Sequence, residues 1–288
     1  MGEIFVIIAG ALWGAMGIFV RGLASASLTS MDICLVRMVV STVLLALFLL
    51  ITNRKALCIK PRDLWIFVGS GVFSLTFFGF CYFTTIQLTS MSVAAVLLYT
   101  SPVFVMLLSA VFFKEKITVR NIICVIIALV GCIFVTGIIG DGLNLPIMGI
   151  VFGLGAGLGY GLYSIFSRFA INRGYGPYTI IFYSFLFSSI ALLFVTKPGD
   201  VITKLMSGNI FSNVLYAVGM SVIVTVLPYM FYTKGLTMVE NTKAAVMACI
   251  EPIMATVFGF LIFREVLSFY EIVGIILVLT AIVLLNKS

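Results

Sequence analysis

The sequence predicts an all-α membrane protein of ten transmembrane helices, arranged as two inverted five-helix repeats with both termini in the cytoplasm. Three observations predict it. The chain of 288 residues is 62% hydrophobic and 9% charged, with a mean hydropathy of +1.28, whereas a soluble domain carries roughly 25% charged residues because its surface faces water. Its apolar residues gather into stretches near the roughly 20 residues that a helix needs to cross the hydrocarbon core. The second half of the chain also repeats features of the first.

In chain order, the first span is expected at residues 4–20 and the second at 33–52, the latter carrying Arg37. Residues 64–113 are uncharged and too long for one crossing, so the polar cluster Gln87-Leu88-Thr89-Ser90-Met91-Ser92 divides them into the third and fourth spans. The fifth is expected at 121–135, the sixth at 147–166 and the seventh at 178–195. The eighth follows at 210–233, the ninth at 244–263 and the tenth at 269–285. The opening Met1-Gly2-Glu3 lacks the basic region of a secretory signal, so the first helix is expected to be retained. Gly2 has no Ser or Thr at the position myristoylation needs.

Loop charges set the orientation. Twelve of the seventeen basic residues follow even-numbered spans: Arg54, Lys55, Lys60, Arg62, Lys114, Lys116, Arg120, Arg168, Arg173, Lys234, Lys243 and Lys287. Opposite them stand Arg21, Lys197, Lys204 and Arg264. Positive loops stay cytoplasmic, which places both termini inside. The net charge of +7 therefore serves orientation and contact with the lipid bilayer; no polar segment mixes basic and aromatic residues as a nucleic-acid surface does. Histidine is absent and the six cysteines have no CxxC spacing, so no metal, cofactor or disulfide framework is expected. Without a GxxxxGK[ST] segment, direct nucleotide hydrolysis is excluded.

Self-comparison reveals the repeat. At an offset of 147, Gly10, Trp13, Gly14, Phe19 and Arg21 fall on Gly157, Tyr160, Gly161, Phe166 and Arg168. At 150, Tyr82, Ala94, Ala95, Val96, Pro102, Phe113, Lys114 and Glu115 fall on Tyr232, Ala244, Ala245, Val246, Pro252, Phe263, Arg264 and Glu265. A three-residue insertion, most simply in a loop at 197–209, accounts for the change of offset. The halves, 1–140 and 141–288, then hold five spans each, and an odd number inverts the second half. Inverted repeats are widespread among secondary transporters because two such halves can exchange conformations.

Over nearly its whole length this pattern resembles the EamA-type transporters of the drug/metabolite transporter superfamily. The residues that carry the resemblance are Trp13-Gly14, Arg37, Pro102, Glu115, Glu251-Pro252 and Glu265, with Gly131 and Gly274 in the fifth and tenth helices. Cys124 and Ala281 depart from it, each replacing the other member of a glycine pair. The resemblance implies a cavity between the halves, lined by helices one to four and six to nine, and a small-molecule substrate such as an amino acid. It implies the plasma membrane of a bacterium, with export the direction of many members. The fifth and tenth helices would be peripheral, available for a homodimer. A receptor or scaffold and an intramembrane enzyme are the rival classes; the enzyme lacks clustered acids or a nucleophile with its base.

Glu251 is the sharpest candidate site, since a carboxylate in an apolar helix is costly and usually faces a cavity or a partner. It is expected to bind a substrate ammonium or a coupling proton; the competing reading is a structural bond to Arg37, Lys243 or the helix break at Pro252. Arg37 suits a substrate carboxylate bidentately, yet it also lies one turn from Asp32, where it would pair or snorkel. Pro102 and Pro252 free a carbonyl one turn earlier, either bending helices toward solute or only shaping them. Trp13, Tyr82, Tyr99, Tyr160, Tyr163 and Tyr232, with Tyr183 and Tyr229, are candidates for an aromatic pocket. Gly149, Gly153, Gly157 and Gly161 mark close helix approach. Lys114-Glu115 and Arg264-Glu265 read as boundary anchors.

Overall fold

The computed structural model describes residues 1–23, 26–136 and 146–286. Lys287 and the junction expected at 140/141 lie outside the described residues. Within them the chain is helical, without a strand. Eight helices are long and apolar enough to cross a membrane: α1 (Gly2–Gly22), α2 (Ser30–Thr52), α3 (Pro61–Leu88), α4 (Met91–Phe113), α6 (Ile147–Asn172), α7 (Pro177–Val195), α9 (Ile210–Leu236) and α10 (Asn241–Phe263). Two shorter apolar helices join them, α5 (Val119–Val135) and α11 (Phe269–Asn286). The expected loop at 197–209 instead holds a short helix, α8 (Pro198–Leu205). Proline begins it, Val201 is its buried anchor, and Lys204 in its last turn reaches Asp32 at 2.8 Å.

Local chemistry explains where helices start and stop. Thr29 and Asp32 form a reciprocal cap on α2, at 3.2 and 2.9 Å. Ser90, Thr118 and Asn209 cap α4, α5 and α9 through their side-chain oxygens. Lys114 and Arg264 end α4 and α10 in the left-handed conformation, with φ of 58° and 56°.

Departures from straight α geometry recur along the chain. α4 is interrupted at Tyr99-Thr100 and α10 at Cys249, just before Pro102 and Pro252, which cannot donate to Leu98 and Ala248. α3 contains a π-helical stretch at Gly69–Thr76 and α9 another at Val222–Val226. α1 has an interruption at Ala15, whereas α6 is continuous.

The interior is stitched by small and hydroxylated residues, since lipid gives helices no hydrophobic reason to associate. Ser70 meets Ser184 at 2.6 Å, Thr76 meets Ser188 at 3.0 Å, and Ser74 donates to the Gly159 carbonyl at 2.7 Å. α6 lies between α3 and α4: a Cβ at Gly157 would sit 2.8 Å from the Leu97 carbonyl, and one at Gly159 would sit 3.0 Å from Phe78 backbone. α5 and α11 pack along each other through Gly131 and Gly274, with Cys124 and Ala281 fully buried. Their glycine faces therefore meet within the chain, and Ile123, Ile126, Ile276 and Val283 face outward.

Polar contacts sort into two ends of the bundle. At one, Glu3 holds Lys243 at 2.9 Å, while Asp63, nearly fully buried, accepts from Arg173 and from the Tyr175 hydroxyl at 2.8 Å. The segments around Arg62 and Arg173 thus adjoin. At the other, Arg21 meets Glu265 at 2.8 Å and stacks on Phe263.

Candidate functional site

Five helices converge on Glu251. It occupies the first turn of the second half of α10, immediately after the interruption at Cys249, where the positive end of the helix dipole favours a carboxylate. Its Oε2 accepts a hydrogen bond of 2.9 Å from the Tyr160 hydroxyl on α6. No other described residue donates to the carboxylate, so Oε1 is left for a further partner.

Tyr160 is fixed by its ring, which packs edge-on against Trp13 of α1 and Phe78 of α3, with centroids 6.0 and 5.6 Å away. Trp13 also touches Tyr229 and Tyr232 of α9, at 5.1 and 5.3 Å, and Tyr163 packs on Tyr229 at 4.8 Å. Buried hydroxyls within this cage are satisfied: Tyr163 with Thr233 at 2.7 Å, Tyr232 with Ser164 at 2.8 Å. The space they enclose is about 10 Å³, room for one water, so the cage is closed on itself. Edge-to-face rings still present faces to any cation admitted between them.

Of the expected pocket residues, Trp13, Tyr160, Tyr163 and Tyr232 come together. Tyr82 stands one ring away, tilted against Phe78 with centroids 5.6 Å apart. Tyr99 is buried at the interruption of α4; Tyr183 is elsewhere, donating to the Leu57 carbonyl at 2.7 Å.

Arg37 does not pair with Asp32, because Lys204 and the Thr29 backbone occupy that carboxylate. It turns inward instead. Its Nη1 rests 3.9 Å from the Met16 sulfur and its Nε is buried without a partner. Met16 stands two residues beyond Gly14, where a Cβ would lie 2.8 Å from the Glu251 carbonyl, so a cation with an unfilled donor and an anion with an unfilled acceptor both pack against one stretch of α1. Lys243, engaged by Glu3, is not Glu251's partner.

The carbonyls that Pro102 and Pro252 free are those of Leu98 and Ala248. They abut Gly157 and Gly10: Cβ atoms there would lie 3.3 and 3.1 Å from those oxygens. The two prolines therefore shape α4 and α10 to fit glycine seats on α6 and α1.

Sequence reasoning did not single out Phe78, Met16 or Asn241. Phe78 is one of 26 phenylalanines and nothing local distinguishes it. Asn241, a fully buried amide beside Lys243, did carry a signal.

Comparisons with known proteins follow this geometry. The sequence pattern of the EamA-like transporter family matches residues 1–137 and again residues 147–287. An uncharacterized transporter of Archaeoglobus fulgidus is 27% identical over 98% of this chain and 95% of its own length. The uncharacterized inner membrane transporter YicL of Salmonella typhimurium is 24% identical over 99% of this chain and 95% of its own. YwfM of Bacillus subtilis, also an uncharacterized transporter, is 25% identical over 99% and 94%. A solved crystal structure shares the fold with a TM-score of 0.78 over 99% of this chain and 96% of that one, at 15% identity.

Proposed function

The chain belongs to the EamA-like transporter family and is a multi-pass membrane transporter, and from that premise we propose that it is a secondary active exporter of an amino acid or a related small amphipathic metabolite. The proposal takes the ten apolar helices as ten spans, in two inverted five-helix repeats at 1–140 and 141–288, with both termini in the cytoplasm. The membrane is the plasma membrane of a bacterium, and the mechanism is alternating access. Recurrence of the interrupted helices, the left-handed ends and the π-helical stretches at a 150-residue offset supports the repeat. Adjoining basic segments at one end of the bundle support the orientation.

One observation carries the substrate class. Glu251, held by Tyr160 at 2.9 Å, keeps an oxygen free and is joined through the Tyr160 ring to Trp13 and so to Tyr229 and Tyr232, while Arg37 offers an unfilled guanidinium. A carboxylate with aromatic faces suits an ammonium, and a guanidinium suits a carboxylate; a zwitterion with an apolar side chain presents both. Tyr82 and Tyr99 enter once the cage expands. Glu251 also serves the coupling proton, which substrate displaces. A homodimer would use the outward faces of α5 and α11.

The test is flux in proteoliposomes. Exchange of labelled amino acids and flux driven by a proton gradient are both expected, and Glu251→Gln, which keeps an oxygen for the Tyr160 hydroxyl, is expected to lose both. Loss of gradient-driven flux with exchange intact would restrict Glu251 to the proton. Full activity of Glu251→Gln in both assays would sink the proposal.

A further inference from the structure

The carboxylates that follow α4 and α10 are placed alike but used differently. Glu115 and Glu265 each follow a left-handed residue, and their amides donate to the Ser109 and Gly259 carbonyls, at 3.3 and 3.2 Å. Each side chain then reaches across to the other half of the chain. Glu265 meets only Arg21, and both side chains are more than half exposed, so solvent screens the pair. Glu115 enters a buried network. It accepts from the Asn241 main-chain N–H at 3.0 Å and from the Thr242 hydroxyl at 3.0 Å. Arg168, the repeat counterpart of Arg21, donates to Asn241 Oδ1 at 2.9 Å and to the Val239 carbonyl. Asn241 Nδ2 donates to Ser109 Oγ at 3.1 Å.

At the 150-residue offset the counterparts of Asn241 and Thr242 are Met91 and Ser92, and that of Ser109 is Gly259. Ser92 keeps a hydroxyl, but Met91 and Gly259 leave the network unbuilt, because the bridging amide and the Ser109 hydroxyl are missing. Instead they line a vestibule of about 330 Å³ that runs inward to Gly14 and Ala255, one helical turn beyond Glu251. The same construction is therefore sealed at one end of the bundle and open at the other.

We propose that Arg168, Asn241, Thr242 and Glu115 form the inner gate of the transport path, that Asn241 is the group holding it shut, and that Arg21 and Glu265 flank an outer gate left open by Met91 and Gly259. This rests on the alternating-access reading above. A side chain at one position sets which face the resting protein presents: opening the inner gate strands a buried amide and a carboxylate, whereas the outer gate strands nothing.

Repeat-paired reporters test it. Ala95 lines the vestibule and its counterpart Ala245 is buried behind the network. In a Cys58→Ser background, each is changed to cysteine and challenged with a membrane-impermeant maleimide on right-side-out and inverted vesicles. Ala95→Cys is expected to react from the Arg21 face and Ala245→Cys not at all. Asn241→Met should raise Ala245→Cys labelling from the Glu115 face at least about fivefold and lower that of Ala95→Cys. Met91→Asn combined with Gly259→Ser, which together supply the bridging amide and the missing hydroxyl, should slow Ala95→Cys by building the outer network; this pair decides the matter where Asn241→Met does not fold. Labelling unchanged by the Met91→Asn/Gly259→Ser pair, and by a monodisperse Asn241→Met, overturns the gate. Both reporters reacting from one membrane face would overturn the inverted architecture instead.

Discussion

Replacing Tyr160 by phenylalanine isolates one interaction at the centre of the bundle. The ring keeps its packing on Trp13 and Phe78; only the hydroxyl that donates to Glu251 at 2.9 Å is lost. A hydrogen bond to a charged group contributes about 1.5–3 kcal/mol, and no other described residue replaces this donor. The carboxylate then swings about its side-chain torsions, and a substrate ammonium must order it anew. The expected cost falls on binding, a rise of about 10- to 100-fold in KM for exchange, with the maximal rate reduced less. Radiolabelled counterflow over a range of substrate concentrations separates the two parameters. A thermal-unfolding midpoint on the same preparation reports whether the loss is only structural. A midpoint lowered by several degrees with KM within twofold of the parent would refute the positioning role and leave the tyrosine as packing.

Two further predictions concern the scaffold. Gly131→Val should destabilise the protein by about 1–3 kcal/mol, because even a Cβ would lie 2.9 Å from the Val278 amide nitrogen and 3.0 Å from the Gly274 carbonyl; Gly199→Ala, with open space around it, is the neutral control, and equal unfolding midpoints would contradict the reading. Arg173→Ala should cost more than Arg62→Ala, by about 1–3 kcal/mol, since it strips the buried Asp63 of its near partner whereas Arg62 lies 3.8 Å away and is largely exposed; similar midpoints for the two variants would count against it.

What the sequence disclosed was what repeats. Trp13 and Tyr160 were paired by offset alone, and their rings touch; Glu251 stood out as an acid in an apolar helix, and its side-chain partner is the Tyr160 hydroxyl. What stayed hidden was direction. In a soluble helix the apolar stripe points inward, but here both lipid and protein are apolar, so periodicity fades: Phe67 and Phe185 are fully buried, while Phe194 and Phe211 are among the most exposed. Partners across the bundle were hidden for the same reason. Glu115 and Glu265 read as boundary anchors because the network that distinguishes them joins residues more than 120 positions apart. Asp32 beside Arg37 suggested a local pair, yet α8 brings Lys204 in from 172 positions away. Each of these is a tertiary contact that no local pattern encodes.

In the proposed exchange, perfectly equal halves would give the two facing states equal free energy, and neither face would be favoured at rest. Among the substitutions between the halves that break that balance are Asn241 against Met91, Ser109 against Gly259, and Glu251 against Ser101. Two side-chain hydrogen bonds of Asn241 hold its gate, beside a main-chain N–H that any residue there but proline would supply; at about 1 kcal/mol net each the two favour one face by about 2 kcal/mol, a ratio of about 30 to 1. A solute drives the cycle only if it binds the rarer state more tightly by a comparable margin. Such a margin is what a free carboxylate oxygen and an unfilled guanidinium would supply if a zwitterion joined them, since each has an unfilled polar atom in the state described.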